Sequence, residues 1–242
     1  MRRLLLSLSA VALVCGFIAP PSASAQQTVN FLLGGFIPRS LDARSAGDTI
    51  LADSTDVPFE LATFNRTTGI DIGKFDGFTF GGEWLFRVNP WVEGGLGLGY
   101  YQRTVPTSYA NFVNPDGSEV AQDLRLRIVP FTATFRFLPL GTSPVQPYIG
   151  AGVGVFAWRY SETGQFIDST DLSIFNENIV GSGGAVGPVV LAGIRFPVGA
   201  VVPGFEMRYQ SATGTLPANQ DFVGTKIDLG GWNALFTLGI RF

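Results

Sequence analysis

The chain has 242 residues, of which 46% are hydrophobic, 13% aromatic and 14% charged, with a formal net charge of −3. Soluble domains average roughly 25% charged residues, so this composition excludes a disordered tail, a coiled coil and a nucleic-acid binder. Histidine is absent and the one cysteine is Cys15, which excludes His-based catalysis and His- or thiolate-held metals, so no cofactor, metal or catalytic residue is expected.

The chain opens with Arg2 and Arg3, an apolar run over 4–18, Pro20 and Pro21, and then Ala23-Ser24-Ala25. This order reads as a secretory signal, with a basic start, a core too short to span a bilayer and a small-residue cleavage site. The expected organisation is a cleaved leader, 1–25, followed by one domain, 26–242. No later run of 18 apolar residues exists that would predict a spanning helix.

Period-two segments follow instead. The pattern predicts eight strands, at 28–38, 76–88, 91–103, 122–137, 146–160, 186–196, 204–213 and 228–242. The links between them alternate. Long ones (39–75, 104–121, 161–185, 214–227) follow odd-numbered strands, and short ones (89–90, 138–144, 197–203) follow even-numbered strands. That alternation belongs to an up-and-down transmembrane barrel with long loops on one side and tight turns on the other.

The faces agree. In the second strand Phe78, Phe80, Trp84 and Phe86 oppose Thr79, Glu83 and Arg87, and in the seventh Phe205, Met207 and Tyr209 oppose Glu206, Arg208 and Gln210. In the last strand Trp232, Ala234, Phe236, Leu238, Ile240 and Phe242 share one face. A face of charges and glycines is too polar for a dry core, so the apolar face is read as facing lipid and the polar face as lumen. Two girdles of interfacial aromatics are expected, Trp91, Phe137, Tyr148, Phe196 and Phe242 at one level and Tyr100, Tyr101, Trp158, Tyr160 and Trp232 at the other. In the fourth strand the apolar parity changes at Val129-Pro130, which predicts a β-bulge.

These features resemble the small eight-stranded outer-membrane barrels of Gram-negative bacteria, the OmpA/OmpX-like and OmpW-like group. The resemblance rests on the terminal Phe242 with Phe236, Leu238 and Ile240 at alternate positions before it. It rests also on Leu138-Pro139 followed by Pro147-Tyr148-Ile149-Gly150-Ala151-Gly152-Val153-Gly154. It implies an outer-membrane location, contact with membrane lipid and lipopolysaccharide, and a C-terminal signal read by the barrel assembly machinery. It also implies a monomer. The barrel strands run to the end of the chain, so a cell-wall-binding domain is not implied.

The inward face carries Glu83, Arg87, Glu93, Arg136, Arg195, Glu206, Arg208 and Arg241, expected to form an ion-pair network because an isolated buried charge is costly. A polar gate passing a small solute is the alternative reading. Glycines 95, 97 and 99, with 150, 152 and 154, are expected to leave room for large lumen side chains. The first long link carries Asp42, Asp48, Asp53, Asp56, Glu60, Asp71 and Asp76, and the third Asp168, Asp171 and Glu177. Without Ca²⁺-loop spacing these read as solvated acidic loops. The sequence thus predicts a non-catalytic barrel with a structural or surface-interaction role. The alternatives are a narrow channel for small or hydrophobic solutes and a soluble periplasmic lipid-binding barrel.

Overall fold

A computed structural model describes residues 27–64 and 66–242; the leader and its cleavage site lie outside the described residues. Eight strands close a ring: β1 (Gln27–Pro38), β3 (Gly77–Asn89), β4 (Val92–Val113), β5 (Glu119–Phe137), β6 (Gln146–Ile167), β7 (Ile174–Arg195), β8 (Val201–Gln210) and β11 (Gly231–Arg241). Every neighbouring pair is antiparallel, and β11 returns to β1 in unbroken register from Thr28↔Arg241 to Pro38↔Gly231. Three short strands lie off the ring: β2 (Leu61–Thr63), which pairs with β4, and β9 (Thr213–Thr215) with β10 (Lys226–Asp228). Among the described residues no helix is long and apolar enough to cross a membrane.

The lower half of the ring, toward the termini, has its apolar side outward. Phe31 is 57% exposed, Phe135 66% and Ile149 62%, whereas Glu83, Thr134 and Arg136 on the opposite face are 2% exposed each. A soluble barrel would bury the first set and hydrate the second. The soluble lipid-binding reading therefore fails on the direction of the side chains, and the belt fits a bilayer.

Above the belt the polarity inverts. On β5 the outward positions change from Phe131, Ala133, Phe135 and Phe137 to Asp123, Arg125 and Arg127, while the inward positions change from Thr132, Thr134 and Arg136 to Leu124, Leu126 and Ile128. No bulge marks the change, because β5 and β6 stay in one register from Phe137↔Ile149 to Gln122↔Gly164. The expected bulge was a misread environment. Below Pro130 the strand faces lipid outside and a polar lumen inside, and above it the strand faces water outside and an apolar core inside. Parity of hydrophobicity flips while the backbone runs on.

The same inversion corrects the second and third long links. Much of 104–121 and 161–185 is strand, with the turns confined to 114–118 and 168–173. At 22 residues, β6 and β7 run about 70 Å at about 3.3 Å per residue, well past the roughly 9–11 that cross a bilayer. The upper barrel is filled by residues from the first link. Ile50 of helix α1 (Thr49–Asp53), Leu61, Ile70 and Phe75 are each at most 2% exposed and pack with Leu124, Leu126, Ile128, Phe156 and Tyr160. Burying each such side chain contributes about 2 kcal/mol.

The girdles divide. Trp91, Phe137, Phe196, Phe242 and Trp232 face outward, and Tyr100 is half-buried against Phe80 at a ring separation of 5.4 Å. Tyr148, Tyr101, Trp158 and Tyr160 are instead inside the barrel, at most 3% exposed. Their even positions on β6, or odd on β4, are inward; proximity to a strand end does not decide the face.

Candidate functional site: a charged lumen beneath an apolar chamber

All eight predicted lumen residues point inward, and seven of them form two clusters. In the upper cluster the Arg136 guanidinium is enclosed between two carboxylates: its Nη2 donates to Glu83 Oε2 and, at 2.6 Å, to Glu206 Oε2. Arg208 completes the ring with Nη2 at 2.6 Å and Nε at 2.9 Å from Glu206 Oε1, and Nη2 at 3.4 Å from Glu83 Oε1. The Tyr148 hydroxyl donates to Glu206 Oε2 at 3.0 Å while its ring lies 4.9 Å from the Arg136 guanidinium carbon. Two acids and two bases make this cluster formally neutral, the condition under which buried charges are tolerated.

The lower cluster centres on Glu93. Arg195 binds it through both terminal nitrogens, at 2.8 Å and 2.6 Å, and Arg87 adds Nε at 2.9 Å and Nη2 at 2.7 Å. The two-pronged contact is one that arginine makes and lysine cannot. Gln146 accepts from Arg195 Nε at 2.9 Å. Arg241, on the last strand, is the exception: it is half-buried, and its Nε has no partner among the described residues. The glycines make room as expected. A Cβ on Gly95 would lie 2.8 Å from Thr134 Oγ1 and 3.0 Å from Glu83 Oε1.

Beside these clusters the wall carries a seam. The β4–β5 ladder lapses between Leu98↔Phe131 and Tyr101↔Ile128, opposite Pro130, which has no N–H to give. A cavity of about 30 Å³ lies there, lined by the inward residues Leu32, Thr132 and Arg208 and by the outward residues Phe80 and Leu98.

Sequence reasoning missed the latch that holds the first link in the barrel. Asp228 takes Arg39 Nη1 at 3.0 Å, Ser45 N at 2.9 Å and Gly230 N at 2.7 Å, and its own N–H donates to Asp48. Asp48 in turn is gripped by Arg44 at 2.6 Å and 3.0 Å. No spacing connects Asp48 with Asp228 across 180 positions; only closure of the ring does. Tyr148, by contrast, could have been found from the parity of Ile149 beside it.

Asp53 and Glu162 also meet inside the upper barrel. Burial pushes the Asp53 carboxyl well above the usual range, helped by the negative charge of Glu162, and burial pushes Glu162 up to about 7. The acids assigned to solvated loops therefore divide. Asp48 and Asp53 are buried, while Asp42, Asp56 and Asp171 stay at the surface. Among the described residues no three acidic, histidine or cysteine groups gather as a metal site.

No family model and no curated protein sequence matches the chain. Solved structures do. The outer membrane protein OprG of Pseudomonas aeruginosa matches over 90% of this chain and 96% of its own, with 12% identity and a TM-score of 0.53. Neisserial surface protein A matches over 92% and 100%, at 14% identity and a TM-score of 0.47. The Escherichia coli outer membrane protein W matches over 90% and 98%, at 14% identity and a TM-score of 0.35. Ring order, lipid-facing belt and the OprG match agree: the described chain is an eight-stranded transmembrane β-barrel with the fold of the small outer-membrane proteins.

Proposed function

We propose that this outer-membrane barrel is non-catalytic and monomeric, and that it anchors an ordered head at the surface, where the head meets lipopolysaccharide and external partners. The observation that carries this reading is that the barrel is closed twice. The Arg136–Glu83–Glu206–Arg208 cluster fills the lumen at the level of the belt, and the first link seals the chamber above with apolar side chains. Eight-stranded barrels have interiors about the width of their own side chains, so both closures are within reach of ordinary packing. In planar bilayers the folded protein is expected to give no conductance above an empty-bilayer control. Steady single-channel steps would overturn the reading.

The four outward residues Phe236, Leu238, Ile240 and Phe242, between 38% and 69% exposed, suit a signal that assembly machinery reads before the barrel closes. The leader 1–25 is assigned to export and the rest to the barrel.

A second reading has one observation in its favour. The seam at Pro130, where ladder pairs are missing and a small cavity touches both inward and outward residues, suits sideways passage of a small apolar solute into the membrane. Pro130→Val restores the missing N–H. If this route is used, the variant slows uptake of a fluorescent alkane analogue into proteoliposomes; equal uptake by both proteins excludes it.

A further inference from the structure

At the end of the barrel away from the termini lies a cleft of about 490 Å³ between the first link, the β6–β7 hairpin and the last link. Six carboxylates line it, Asp53, Asp56, Glu162, Asp168, Glu177 and Asp221, and among the described residues no lysine or arginine does. The three elements that supply them are far apart in sequence, so the convergence is a product of the fold.

Acidic loops alone would be ordinary solvated surface. The floor of this cleft differs. Asp53 and Glu162 are each 3% exposed, and Asp53 Oδ2 and Glu162 Oε1 are buried with no hydrogen-bond partner among the described residues. Gln122, 4% exposed, leaves its Oε1 in the same condition, and it also lines the cleft. On the sheet it is the diagonal neighbour of Glu162, whose direct partner is Leu124. Three buried acceptors thus share a floor whose neighbouring donors are the Tyr160 and Thr49 hydroxyls beside Glu162, with no basic side chain among the described residues lining it. Leaving a buried acceptor unpaired is unfavourable, and leaving a carboxylate so is more unfavourable still. The raised Asp53 and Glu162 carboxyls are the electrostatic sign of the same deficit.

The walls are aromatic. Phe166 and Phe175 stack at 6.0 Å across the hairpin, and Phe59 stacks on Phe112 at 5.5 Å, with Tyr109 set edge-on to Phe112. Phe59, Tyr109, Phe166 and Phe175 all face the cleft. Aromatic faces attract cations and accept apolar bodies. A cleft of this size suits a small organic molecule rather than a bare ion.

We propose that this cleft binds an organic ammonium ion, its N–H groups meeting Asp53, Glu162 and Gln122 and its apolar body lying between the phenylalanines. A protonated amine brings the positive charge that the lining lacks, together with three donors for the unpaired oxygens. The carboxylates at the mouth add a field that concentrates cations before docking.

The test is calorimetric titration of the purified full-length barrel in detergent with 4-phenylbutylammonium, set against 4-phenylbutyrate and calcium. The ammonium ion is expected to bind and the carboxylate not to. Asp53→Asn combined with Glu162→Gln is expected to weaken binding at least tenfold, with the heat-dependent gel shift retained as evidence of fold. These substitutions keep shape and remove a repulsion, so unfolding is not anticipated. Should the double variant lose the gel shift, Phe175→Ala replaces it, with the same weakening expected. Undiminished binding to a folded variant, no binding to the native barrel, or calcium binding that the ammonium ion cannot displace would each overturn the proposal. Because the titration needs neither a membrane nor a partner, its failure is separable from that of the closed-barrel reading.

Discussion

Arg136→Met tests whether the lumen cluster is a dry, charge-balanced bolt. The native side chain is 1% exposed and sits against Glu83 and Glu206, both fully buried. Methionine fills most of its volume but leaves two carboxylates facing one base. Glu206 keeps Arg208 at 2.6 Å and the Tyr148 hydroxyl at 3.0 Å, whereas Glu83 keeps only Arg208 at 3.4 Å and Thr134 at 3.4 Å. Breaking a buried pair by removing one partner costs about 3–5 kcal/mol, because the other charge is left uncompensated. If water entered freely, the same pair would be worth about 1 kcal/mol or less. Adding Glu83→Gln restores neutrality around the intact Glu206–Arg208 pair, so the double variant is expected to recover at least half of the loss. The assay is urea unfolding of the barrel in lipid vesicles, followed by tryptophan fluorescence. A single variant within about 1 kcal/mol of native, or a double variant no better than the single, would refute the dry-bolt account.

Three further outcomes are expected. Phe242→Ala lowers the yield of barrel in the outer membrane while leaving the unfolding midpoint of the purified protein nearly unchanged; normal insertion would remove the assembly role assigned to the last strand. Stability should fall as pH rises from about 4.5 to about 7, because the folded state holds the Glu162 proton to about 7 and the unfolded chain releases it near 4.5, beside Asp53, Asp48, Asp56, Tyr109 and Tyr160. Glu162→Gln should flatten that slope and be the more stable protein at pH 8, and a slope unchanged in the variant would assign it to other groups. Asp228→Ala should free the first link, costing about 2–4 kcal/mol locally and exposing residues 39–76 to protease while the lower barrel stays folded; equal protease resistance would mean that apolar packing alone holds the link.

Much of the fold was readable because a bilayer imposes a strict code. Outside the lumen every second residue must be apolar, and Phe31, Leu33, Phe205, Met207, Phe236 and Leu238 obey it, so all eight ring strands were found, although three of them were cut short above the belt. The eight lumen charges followed from the same parity. What failed lay above the belt, where the code reverses. Leu124, Leu126 and Ile128 were read as a slipped strand, and residues 104–113, 161–167 and 174–185 as loop, because apolar alternation there belongs to an inward core. The latch at Asp228 and the floor at Asp53 and Glu162 were invisible for another reason. Their partners meet only through ring closure and the folding-in of the first link, and no local pattern records either.

The central claim is that the apolar belt faces lipid and the strands close around a polar lumen. Gel mobility of boiled against unboiled protein, taken from washed outer membranes, tests it most directly. The account predicts that the unboiled protein stays in the membrane fraction and runs as a compact band that shifts on boiling. Protein found in the soluble periplasmic fraction, with one mobility before and after boiling, would contradict it.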